Sequence, residues 1–188
     1  NGAATAYTGK VEYGQNIRTG LAMEVADELG IPLASVRMVM GDTDVTPWDM
    51  GTFGSQSTKN IGLQLRKAAA TARQTLLELA ANKLDVPASQ LVSRNGRVES
   101  QTDPRRSVSW ADLLGQQDLV LAVNDSVALK EQKDFTVMGK AATRIDAVDR
   151  VTGKMKYTQD IILPGMLFAR VLRPPSRGAK LLSADTSV

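Results

Sequence analysis

The sequence predicts an α/β (α+β) fold, a mixed sheet carrying two main helices. Three observations predict it. Runs of strand character alternate with helical periodicity: residues 5–13, a helix from Ile17, Val36–Met40, then a long helix over 57–84. Each helix follows directly on a polar, glycine-bearing turn, Gly14-Gln15-Asn16 and Gly54-Ser55-Gln56-Ser57. Farther on, Asn95-Gly96 joins two short strands, about 90–94 and 97–100, a strong hairpin signal.

Taken in order, 5–13 carries Thr, Tyr and Val in rough alternation, with a bend expected at Gly9-Lys10. Asn16 stands where an N-cap belongs. Ile17, Leu21, Val25 and Leu29 then recur every four residues, and Gly30 with Pro32 marks the helix end. Val36, Met38 and Met40 alternate with Arg37 and Val39, a half-buried strand. The loop over 41–54 holds Asp42, Asp44, Asp49 and Trp48. It lacks calcium-loop spacing and the closing glutamate, so its acids are read as turn and cap chemistry. In the long helix Ile61, Leu65, Ala68, Ala72, Leu76 and Leu79 mark one face, whose alanines imply close approach to a neighbour. Val86-Pro87 breaks it. Ser109 caps a short helix, with Asp112 three residues on. Residues 116–134 read only as a short strand and linker.

The 188 residues suit one domain, or one domain with a smaller piece. Apolar residues make up 43% and aromatics 4%, so the core is aliphatic and alanine-rich. Cysteine and histidine are absent, which excludes disulfides, thiolate iron–sulfur ligation, the usual zinc sites and imidazole triads. The net charge of +3 is dispersed, with no basic stripe interleaved with aromatics, so nucleic acid is not an expected partner. No run approaches the about 20 apolar residues of a membrane span. The chain starts at Asn1, inside what reads as a strand, and a truncated N-terminus is expected.

Two helix starts approached through glycine offer unpaired N–H groups and positive dipole ends. With Gln, Ser and Thr around them, they suit an anionic or amide-rich ligand. These residues also carry a resemblance. Val11-Glu12-Tyr13-Gly14-Gln15-Asn16 before a helix, Val36-Arg37-Met38-Val39-Met40-Gly41-Asp42-Thr43-Asp44, and Gly51-Thr52-Phe53-Gly54-Ser55-Gln56-Ser57-Thr58 resemble the molybdenum hydroxylases. The narrower resemblance is to the molybdopterin-binding large subunit of the isoquinoline 1-oxidoreductase and nicotinate dehydrogenase type, in the xanthine dehydrogenase–aldehyde oxidase superfamily. The family's Gly-Gln-Gly is Gly-Gln-Asn here, at Asn16. From Met138 onward, Arg144-Ile145-Asp146, Val151-Thr152-Gly153-Lys154 and Leu163-Pro164-Gly165-Met166-Leu167-Phe168 resemble the start of that superfamily's α/β hammerhead domain. The domains expected from the resemblance are 1–137, part of a molybdopterin-binding domain, and 138–188, the truncated beginning of the hammerhead.

The resemblance implies water-derived hydroxylation of an aldehyde or N-heterocycle at a molybdenum–molybdopterin centre, in its cytosine dinucleotide form. It further implies a small [2Fe-2S] partner subunit and a further electron-acceptor subunit; the location stays open between bacterial cytoplasm and periplasm. Residue by residue, Gln15 matches a glutamine whose amide reaches the cofactor, and Gly14 lets the backbone approach. Gly54, Ser55 and Ser57 match the segment that holds the pterin. Asn16 belongs to the same turn, and Thr52 and Thr58 are weaker neighbours. The family's catalytic glutamate has no counterpart in these motifs; Glu12, Glu24, Glu28, Glu78, Glu99 and Glu131 stand in other contexts. The fragment alone is therefore expected to be inactive. The competing readings are a stand-alone anion- or nucleotide-binding module and a subunit-assembly piece.

Overall fold

A computed structural model describes residues 2–115, 118–185 and 187. Strand β1 (Ala4–Thr8) lies parallel to β2 (Val36–Met40), in register from Ala4 opposite Val36 to Thr8 opposite Met40. Helix α1 (Ile17–Leu29) connects them, as a parallel pair requires. A π-helical turn, Ser57–Gly62, leads into α2 (Leu63–Leu84), which packs along α1. Strands β3 (Leu91–Arg94), β4 (Arg97–Ser100) and β5 (Ser107–Ser109) form an antiparallel meander, followed by α3 (Trp110–Leu114). A short helix α4 (Ala147–Val151) comes later, and from Ile161 on the described residues carry neither helix nor strand.

The α/β class and the two main helices are as the sequence predicts. The strands, however, divide into a parallel pair and a separate antiparallel sheet rather than one mixed sheet. The reason lies at the end of α1. Gly30 closes the helix with φ 72°, its N–H reaching Ala26 O at 2.9 Å and Asp27 O at 3.1 Å. The hairpin docks there: Asn95 N–H donates to Gly30 O at 2.7 Å and Ser93 Oγ to Leu29 O at 2.7 Å. A Cβ on Gly30 would collide with Ser93 O, so the junction requires glycine. The hairpin thus spends its polar groups on the helix terminus, away from β2. At its tip Asn95 and Gly96 take φ 51° and 74°, the left-handed pair of a type I′ turn. β1 ends at Thr8, short of the predicted Tyr13, because the chain turns off at Gly9 toward the 41–54 loop.

The core is aliphatic. Leu21, Ala22, Val25, Ala26, Leu29 and Ile31 pack with Val36, Met38, Ala69, Leu76, Ala80, Val98 and Trp110. The alanines let α1 and α2 approach closely. On the same helix Asp27 and Glu28 are fully buried, and both are fully partnered. Glu28 accepts from Arg66 (2.7 and 2.9 Å), Arg73 Nη1 (2.6 Å) and the N–H of Lys130 (3.2 Å). Asp27 accepts from the N–H groups of Thr136 (2.9 Å), Val137 (3.1 Å) and Met138 (2.7 Å). Glu28 thus anchors the stretch 116–134, for which the sequence predicts only a short strand and linker, and Asp27 holds the residues just past it; positions 116 and 117 lie outside the described residues. Among the described residues no helix is long and apolar enough to cross a membrane.

Candidate functional site

The two predicted turns meet. Gln15, Ser55 and Ser57 line one cavity of about 260 Å³ with Tyr13, Ile17, Thr52, Phe53 and Thr58. Gly14, Asn16 and Gly54 do not line it; they shape the turns, with φ of 128°, 65° and 65°. Ser55 shares the left-handed region at φ 56°.

Three residues before the first turn tie it to the second. Lys10 is buried, and its ammonium donates to Asp49 Oδ1 at 2.8 Å and to Gly51 O at 2.6 Å. Val11 N–H donates to Thr52 Oγ1 at 2.9 Å, and Tyr13 Oη to Thr52 O at 3.1 Å. Burial works against the Asp49 carboxylate, but Lys10 and the Gly51 N–H outweigh it and hold its pKa below the usual range. Asp42 accepts from the N–H of Asp44 at 3.1 Å. Asp42 therefore does turn work, as read from the sequence, while Asp49 adds to its turn bond from Gly51 N–H a long-range ion pair with Lys10.

Gln15 is held from both ends. Its Oε1 accepts from Tyr13 N–H at 2.9 Å and its Nε2 donates to Val11 O at 2.9 Å. A carboxamide so engaged keeps one N–H and one lone pair for a ligand, in a fixed orientation. The hydroxyls of Ser55, Ser57 and Thr58 make no hydrogen bond among the described residues. Neither serine caps a helix: the cap position before the π-turn is Gln56, and it makes no side-chain cap bond. Tyr13 and Phe53, both more than half exposed, add two aromatic faces beside these polar groups.

The expectation for the first helix start needs correction. Asn16 takes the N-cap position with no side-chain cap bond. The start of α1 is filled by the chain's own Glu12, whose Oε1 accepts from Gly14 N–H (2.8 Å) and Asn16 N–H (3.1 Å), and Oε2 from Arg18 N–H (3.0 Å). Burial disfavours this charge, but the three N–H groups more than offset it and lower the Glu12 pKa. A free anion thus finds this terminus taken, and an anion-binding module built on both starts would keep only one.

Sequence reasoning does not single out Lys10, Glu12, Tyr13 or Phe53. Glu12 lies outside any recognised capping position, and Lys10 acts on partners about 40 residues away. Tyr13 and Phe53 stand inside the motifs, and an aromatic directly beside a polar turn is the signal that could have found them.

The donor set fits the organic part of a polar, planar cofactor: one oriented amide, three unbonded hydroxyls and two aromatic faces. Among the described residues no group of three His, Cys, Asp or Glu could hold a metal ion. At about 260 Å³ the cavity is smaller than sites that enclose a whole ligand, so it meets one edge of it.

Residues 1–163 match the family model of the molybdopterin cofactor-binding domain. The chain is 38% identical to a subunit of the nicotinate dehydrogenase of Pseudomonas putida, over 95% of this chain and 15% of that protein. It is 30% identical to the beta subunit of isoquinoline 1-oxidoreductase of Brevundimonas diminuta, over 89% of this chain and 26% of that protein. Among solved structures it resembles quinoline 2-oxidoreductase from Pseudomonas putida 86, with a TM-score of 0.53 and 28% identity, over 60% of this chain and 14% of that one. It also resembles CO dehydrogenase from Oligotropha carboxidovorans, with a TM-score of 0.52 and 30% identity, over 59% of this chain and 14% of that one. The chain therefore spans about a quarter or less of the length of these relatives. It belongs to the molybdopterin cofactor-binding domain family, among the large subunits of the molybdenum hydroxylases.

Proposed function

We propose that the cavity between the 14–16 and 54–57 turns holds one edge of the molybdopterin cofactor, in its cytosine dinucleotide form, within the large subunit of a molybdenum hydroxylase. The observation that carries this reading is the convergence of the Gln15 amide with the free hydroxyls of Ser55 and Ser57, about 40 residues apart in sequence. When bound, the cofactor supplies the redox chemistry for hydroxylating an aldehyde or N-heterocycle, with electrons passing to a [2Fe-2S] partner and a further acceptor subunit. The chain's own part is to bind and orient. Gln15 presents its remaining N–H and lone pair to the heterocycle. Ser55, Ser57 and Thr58 donate to acceptor oxygens, and Tyr13 and Phe53 exclude water from one side. Gly14, Asn16 and Gly54 set the turns that carry these groups. In this reading residues 1–137 are part of the cofactor domain and 138–188 the beginning of the hammerhead.

The test is Gln15→Ala in the complete subunit. Molybdenum and pterin content should fall several-fold while the far-ultraviolet circular dichroism stays unchanged. Full cofactor content in that variant would overturn the assignment.

A further inference from the structure

Two arginines about 130 residues downstream reach the first turn. The Glu12 side chain is only 1% exposed, and Arg144 Nη2 and Arg150 Nη2 stand 3.5 and 3.4 Å from its Oε1. Those lengths are ion pairs rather than tight hydrogen bonds. The guanidinium groups are fixed instead by Asp146, which takes Arg144 Nε at 2.5 Å and Arg150 Nε at 2.7 Å. The Arg144 hydrogen bond, then the Arg150 one, pull Asp146 down to about 2 against its burial. Two acids and two cations thus make a closed, neutral cluster. Further contacts seat the segment: Arg144 Nη1 reaches Gly14 O at 3.4 Å, and Ile145 N–H donates to Thr19 Oγ1 at 3.0 Å. Arg150 also lies over the Tyr157 ring, 5.6 Å from its centroid, and donates to its hydroxyl.

Without the arginines, Glu12 and Asp146 would face each other uncompensated, since Asp146 already raises the cost of the Glu12 charge. A buried carboxylate in that position leaves its pocket or takes up a proton. Departure would release the three N–H groups that Glu12 gathers and protonation would weaken their bonds, and either loosens the φ of 128° and 65° at Gly14 and Asn16.

We propose that Arg144 and Arg150 are positioning residues for the cofactor turn, so that residues 14–16 take their ligand-facing shape only when the segment 144–157 is docked on the start of α1. The inference deepens the cofactor reading above and rests on it for its meaning. The cofactor site is then completed by a part of the chain that touches none of the cavity.

The experiment is amide hydrogen exchange and pH titration by NMR on the full chain without cofactor. In Arg144→Ala/Arg150→Ala, the amides of Gly14, Asn16 and Arg18 should exchange at least about tenfold faster. Their shared titration midpoint, which reports Glu12, should rise by about one pH unit or more. The amides of β3 and β4 should stay as in the wild type. Arg144→Lys/Arg150→Lys, which keeps both charges, should recover most of the midpoint. Unchanged exchange and midpoint in the alanine pair would overturn the proposal. If that pair fails to fold, Glu12→Gln tests the reciprocal arm. The Ile145 amide should lose protection there, and an unchanged Ile145 overturns the coupling. Neither arm involves cofactor, so the coupling stands or falls separately from Gln15→Ala, whose failure would remove the cofactor reading alone.

Discussion

Glu24 stands on α1 with its carboxylate against Gly62, the last residue of the π-turn. A Cβ on Gly62 would meet Glu24 Oε2, so a larger residue there would make the carboxylate move. Glu24 is buried and makes no hydrogen bond among the described residues, and burial, only partly relieved by Arg66, pushes its pKa from 4.5 up to about 7. The folded chain thus keeps a proton that the unfolded chain loses near 4.5, and stability falls as pH rises from there to about 7. The loss is at most about 3 kcal/mol. Glu24→Gln should remove it, raising stability at pH 8 relative to wild type and leaving it unchanged at pH 4, as read by urea denaturation. An equal effect at both pH values would show that packing, not charge, decides. Ser57 makes the opposite case. Its hydroxyl caps nothing, so Ser57→Ala should cost less than about 0.5 kcal/mol, against about 1 for a lost cap. A larger loss in the thermal midpoint would mean the hydroxyl has a structural partner.

Helix α1 is the element on which the others assemble, and it does so with charge as well as apolar packing. Its apolar side seats α2, where Leu21→Ala should cost about 2–5 kcal/mol by cavity formation. Asp27 at its C-terminal end gathers three N–H groups; burial opposes its charge, but these donors hold its pKa low. Asp27→Ala would leave those donors without an acceptor, at about 1–3 kcal/mol each. Hydrogen exchange should show Thr136, Val137 and Met138 opening first; protection retained there would contradict the anchor. The periodicity of Ile17, Leu21, Val25 and Leu29 made this helix legible, and Gly30 and Asn95-Gly96 marked its end and the hairpin. Asp27 and Glu28 were not legible as anchors, because their partners lie on α2 and beyond residue 127, too distant for any local pattern. The division into two sheets escaped for the same reason, since it depends on where Ser93 and Asn95 find carbonyls. At the site, Gln15, Ser55 and Ser57 stood out because they sit in turns before helices. Lys10 and Glu12 act across the fold and looked like ordinary strand residues.

For the whole molecule these charges predict a pH profile with opposed flanks. Glu12, Asp27 and Asp146 have lowered pKa values, so their contribution is present above the usual carboxylate range and lost as pH falls through their folded values. Glu24 acts on the other flank, costing stability between 4.5 and about 7. The thermal midpoint should therefore peak in mildly acidic solution, about pH 4–5, and decline on both sides. A flat profile from pH 4 to 8 would remove Glu24 as a buried titrating group. The described residues from Ile161 onward leave Ile162, Leu167, Val171, Leu172 and Leu182 exposed. The central claim is that the 14–16 and 54–57 turns touch a single cofactor. A crystal structure of the cofactor-loaded subunit tests it most directly. The account predicts the Gln15 amide and the hydroxyl of Ser55 or Ser57 both within about 3.2 Å of the same bound cofactor. A cofactor that contacts one turn and leaves the other facing solvent would contradict it.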